Sequence, residues 1–88
     1  MPSYNYVVWF RDHTVQPDDE DYEWPASFLV TAADDLEAQA WGDHLATNYS
    51  RREGCDLLRS YLDPDTWTAG AVPHITVGED APDEVIGW

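Results

Sequence analysis

The chain has 88 residues, 43% hydrophobic and 14% aromatic, which excludes an intrinsically disordered polymer and leaves room for one small core. Eighteen acids face four arginines and no lysine, a net charge of −14. With no basic patch to release counterions, direct binding to DNA, RNA or an anionic membrane is not expected; a basic or nucleic-acid-binding protein is the natural electrostatic partner.

The first predicted element is a strand over residues 4–11, YNYVVWFR. Tyr4, Tyr6, Val8 and Phe10 fall on one face, and Asn5, Val7, Trp9 and Arg11 on the other. Both faces carry apolar groups. One must pack on the domain's own helix, and the other needs cover from elsewhere.

An acidic connection follows. In QPDDEDYEWP, residues 16–25, five carboxylates occupy six positions between Pro17 and Pro25, which are read as non-ladder positions. An EF-hand loop needs alternating oxygen ligands, a central glycine and a distal glutamate, and this stretch has neither glycine nor spacing. A solvated connection between strands is the plainest reading. The next is a contact surface in which Asp18, Asp19, Glu20, Asp21 and Glu23 imitate phosphates and Tyr22 and Trp24 act as apolar anchors. Residues 26–32, ASFLVTA, form the second predicted strand, with Phe28, Val30 and Ala32 opposing Ser27, Leu29 and Thr31.

Asp34 and Glu37 form an Asp-x-x-Glu variant of the capping box, so a helix is predicted over residues 35–52. Ala38, Trp41, Leu45 and Tyr49 recur at helical spacing as its buried stripe, with Gly42 beside it to allow close approach of a strand. Arg51 and Arg52 suit the carbonyl end of the dipole, and Gly54 suits the position after the helix. A third strand is predicted at 56–62, broken by Asp63-Pro64-Asp65; TWTAGA reads as loop, and 73–77 as a short fourth strand at an edge. The acidic tail over 79–88, flexible as a first expectation, ends in Val85, Ile86 and Trp88, which would add a strand, dock in a groove or fray.

The order β-β-α-β-β predicts an α+β two-layer sandwich over residues 1–88, with one amphipathic helix on a three- to four-stranded, mostly antiparallel sheet. Val7, Trp9 and Leu29 on the second sheet face are expected to be covered by a homodimer partner. Lone Cys55 can form no internal disulfide, the N-terminus lacks the pattern of a signal peptide, and no apolar run is long enough to span a bilayer, so a cytoplasmic protein is expected.

Little in the chain suggests catalysis. His13, His44 and His74 are scattered without HExxH, CxxC or H-x₃-H spacing, so no metal or other cofactor is expected. Cys55 follows a helix end, where the dipole disfavours a thiolate. No G-x-S-x-G elbow or glycine-rich phosphate loop is present. The expected function is a non-catalytic acidic interaction domain, of an inhibitor or immunity type, engaging a basic partner by charge mimicry. The alternative is a homodimeric accessory or small-molecule-binding domain whose acidity serves solubility or salt adaptation. In that case Tyr4, Tyr6, Trp9, Trp41 and Tyr61 would line a core or cleft. Element order alone assigns no function.

Overall fold

A computed structural model describes residues 2–19, 22–63, 73–79, 86 and 88. The elements are β1 (Ser3–Arg11), β2 (Glu23–Thr31), α1 (Asp35–Glu53), β3 (Asp56–Asp63) and β4 (His74–Thr76). They form one four-stranded sheet in the order β3-β1-β2-β4. β1 is antiparallel to both β2 and β3, while β4 runs parallel to β2. The predicted α+β sandwich with a mostly antiparallel sheet is therefore the observed fold. β2 and β3 are parallel with β1 between them, and α1 makes the crossover.

Alternation in β1 holds as read. Tyr6, Val8 and Phe10 are fully buried beneath the helix, together with Phe28 and Val30 of β2. Each such side chain contributes roughly 1.5–3 kcal/mol on removal from water. The helix meets them with Ala38, Gly42, Leu45 and Ala46. Its line of closest approach is thus the small-residue row Ala38–Gly42–Ala46, with Leu45 beside it. Trp41 and Tyr49, predicted as members of the buried stripe, flank the row half-buried. The sheet supplies the bulk, so the helix centre must be small. Gly42 is essential to this approach, since a β-carbon there would overlap the Tyr6 ring.

Both helix ends behave as their residues dictate. The Asp34 carboxylate accepts from the Glu37 N–H at 2.8 Å, and Gly54 adopts a left-handed φ of 72° while its N–H donates to the Ser50 carbonyl at 2.9 Å.

One reading needs correction, and two further features add to it. Pro25 was expected outside the ladder, but it lies within β2, opposite Trp9. Leu29, of the same parity, donates its N–H to the Pro73 carbonyl on the β4 side. Pro25 therefore lacks its donor on the β4 side rather than toward β1, beyond the described pairing of Leu29 with His74, so β2 starts at Glu23 rather than 26. In β3, Trp9 faces Arg59 but Phe10 faces Leu57, so Leu58 is the extra residue of a bulge. Finally, Ile86 is buried, and the Trp88 ring stacks on Tyr49 at 4.7 Å and meets Phe10 and Phe28 edge-on at 5.4 and 5.6 Å. Of the three outcomes considered for the tail, these two side chains dock. The rest of the 79–88 tail beyond Glu79, and the loop over TWTAGA, fall outside the described residues.

Candidate interaction surfaces

The sheet face away from the helix is assembled from every second residue. Across the strands, Arg11 lies between Asp56 and Glu23, Trp9 between Arg59 and Pro25, Val7 between Tyr61 and Ser27, and Asn5 between Asp63 and Leu29. All three residues predicted for a dimer face, Val7, Trp9 and Leu29, thus share one surface and are half-buried. Sequence reading missed Arg59 and Asp63 and did not assign Tyr61 to this face, although their spacing of two was a usable signal. The Arg59 guanidinium sits 4.9 Å from the Trp9 ring centroid, and Tyr61 is 41% exposed, so of the core or cleft expected for it only the cleft fits. A shallow depression of about 230 Å³ lies among Asn5, Val7, Trp9, Pro25 and Tyr61. Two arginines oppose three carboxylates here, so this face carries a single net negative charge in a chain of −14.

The acidity lies elsewhere. At the end where β1 leads into the β1–β2 connection, Asp12, Glu53 and Asp56 lie near Cys55 at the helix exit, with His13 3.5 Å from Asp56, and Asp18 and Asp19 stand on the connection itself. Asp18, Asp19, Glu53 and Asp56 are exposed. The Cys55 thiol is pushed up first by burial and then by Asp12, Glu53 and Asp56. The Asp12 carboxylate is held below its usual range by the Thr14 hydroxyl at 2.5 Å and the Thr14 N–H at 3.0 Å.

The seven residues predicted for partner contact do not act as one group. Asp18 and Asp19 stand at the tip, and Glu20 and Asp21 lie outside the described residues. Glu23 is bridged by Arg11 at 2.9 Å, an interaction that raises the Arg11 pKa, and Arg11 also lies 5.4 Å from the Tyr22 ring centroid. Trp24 belongs to the helix side, its ring 5.7 Å from Phe10. There Trp24, Tyr49 and Trp88, with Asp12 at the rim, line an open groove of about 470 Å³.

Two polar clusters could suggest chemistry. Between helix and sheet, Asp43 accepts from Tyr6 at 2.7 Å, Ser60 at 2.5 Å and Gln39 at 3.1 Å, while Gln39 also donates to Ser60 at 2.9 Å. Burial, then the Asp43 hydrogen bond, drives the Tyr6 phenol far above its ordinary pKa. The cluster fastens α1 to β1 and β3. On the outer face, His74 Nε2 contacts the Ser3 hydroxyl at 3.1 Å and also the Thr31 hydroxyl. A nucleophile–base pair works when a third group orients the base. Among the described residues, no acid is hydrogen-bonded to the other ring nitrogen of His74, and no three of His, Cys, Asp and Glu converge as metal ligands. Nor is any described helix long and apolar enough to cross a membrane.

Compared with family models, curated proteins and solved structures, the chain matches none.

Proposed function

We propose that the protein is a non-catalytic acidic interaction domain that engages a basic protein, one that ordinarily holds nucleic acid, through the carboxylates around the β1–β2 connection. The observation that supports this reading is the segregation of charge. Asp12, Glu53 and Asp56 lie around the helix exit and Asp18 and Asp19 are exposed on the connection that leaves Asp12, while the outer sheet face beyond Arg11 sets Arg59 against Asp63. Such a field speeds encounter with a basic surface and discourages acidic ones. The test is capture of partners from the source cell's lysate, with and without excess duplex DNA. One dominant nucleic-acid-binding protein, displaced by DNA, is expected. Replacing Asp18, Asp19, Glu20 and Asp21 with Asn and Ser should weaken its binding and flatten the salt dependence. A diffuse set of basic proteins lost at modest salt would refute the reading and leave solubility as the role of the charge.

A second reading is supported by the outer face itself: a second copy of the chain packs there over Val7, Trp9 and Leu29. A face with one net charge is where two chains of −14 approach at least electrostatic cost. Sedimentation equilibrium should give a dimer that strengthens with salt and is lost in Val7→Lys. A monomer at 200 µM, roughly the upper range of weak specific dimers, rejects it.

A further inference from the structure

We propose that the groove walled by Trp24, Tyr49 and Trp88, with Asp12 at its rim, is a binding site for a cationic side chain, a lysine or arginine presented by a protein partner. The inference deepens the proposed function by naming what the partner inserts, and it rests on that partner being basic. Three aromatic rings and one carboxylate around an open space of about 470 Å³ make up the chemistry that recognises an alkylammonium or guanidinium group. Aromatic faces carry the negative end of the ring quadrupole, and tryptophan is the strongest of them. A neutral apolar ligand would have no use for the carboxylate, and an anion would be repelled by it.

The walls are held in place. Tyr49 and Trp88 stack at 4.7 Å with 21° between their planes, and Phe10 backs all three walls at 5.1 to 5.7 Å. Little side-chain freedom remains to be lost on binding, which favours affinity. Asp12 is fixed through its Oδ1 by the backbone and hydroxyl of Thr14, and these contacts also keep it ionised. The groove adjoins the acidic end of the fold, so a basic chain drawn there by long-range attraction meets it directly. The cations nearest in sequence do not fill it: Arg52 folds back to donate to the Asn48 carbonyl at 3.3 Å, and Arg11 is engaged by Glu23 and Tyr22.

The probe is trimethyllysine amide, set against its neutral carbon isostere, in which a tert-butyl group replaces the trimethylammonium. Binding is read from the indole N–H resonances of Trp24 and Trp88 in the full chain. The cation should produce saturable shifts and the isostere none. Asp12→Asn, which preserves the turn onto Thr14, should weaken the cation roughly three- to tenfold, and Trp24→Phe by a similar factor. Equal shifts with both probes, or no saturable shift with either, would overturn the site. Lysate capture separates this inference from the proposed function. If the acidic-connection variant loses the partner while Asp12→Asn and Trp24→Phe keep it, the groove is wrong and the basic partner stands. If no partner is captured but the cation binds selectively, the groove stands alone.

Discussion

Gly42→Ala tests the packing argument most sharply, because two effects of opposite sign compete at one atom. In an isolated helix the change is favourable by about 1 kcal/mol, since alanine loses less backbone entropy than glycine. In this fold the new methyl would overlap the Tyr6 ring, meeting its Cγ at 2.6 Å and two further ring atoms closer still. Tyr6 is fully buried, packs 5.0 Å from Phe28 and is tethered through its hydroxyl to Asp43. The ring cannot swing aside without losing that hydrogen bond, and the helix cannot lift without exposing Ala38 and Ala46. Overpacking of this kind costs about 1–3 kcal/mol, and three simultaneous overlaps place it at the upper end. The net effect is a loss of about 2 kcal/mol, which for a domain of this size lowers Tm by roughly 8–16 °C. Thermal unfolding followed by circular dichroism is the assay, at fixed salt because the net charge makes stability salt-dependent. Tyr6→Leu should relieve the clash, so the double variant should be more stable than the sum of the single losses predicts. A rise in Tm for Gly42→Ala alone would show that helix propensity wins and that the helix does not approach β1 this closely.

Asp34→Ala removes the cap on the Glu37 N–H and should cost about 1 kcal/mol, a fall of roughly 4–8 °C in Tm; Asp34→Ser should retain most of it. The Tyr6 phenol keeps its proton in the folded state while the unfolded chain releases it near pH 10, so this group's contribution to stability is complete below about pH 10 and is lost as pH rises further. Absorbance titration should therefore show Tyr6 ionising only with unfolding, and Tyr6→Phe should flatten the alkaline loss of stability. Because burial and three carboxylates raise its pKa, Cys55 should react with iodoacetamide more slowly in the folded chain than in urea at pH 8, and equal rates would refute the electrostatic account.

Features decided within a few residues were legible in the sequence. The helix ends followed from Asp34, Glu37 and Gly54, because caps satisfy backbone groups one turn away. The faces of β1 followed from its period of two, which also grouped Val7 with Trp9, while the parity of Leu29 joined it to them once β2 was paired. The charge alone led to the expectation that no basic nucleic-acid surface exists. Other features depended on neighbours distant in the chain. Pro25 is compatible with β2 because its missing donor faces away from β1, and pairing alone reveals which edge that is. Trp24 reads as part of an acidic loop, yet the register of β2 against β1 turns it onto Phe10. The small-residue row of the helix acquires its meaning from Tyr6, Phe10 and Phe28 across the core. Above all, Asp12, Trp24, Tyr49 and Trp88 span 77 residues of sequence with no shared motif. They meet because an antiparallel turn, a crossover helix and a docked tryptophan converge at one end of the sheet, and such convergence belongs to the tertiary structure.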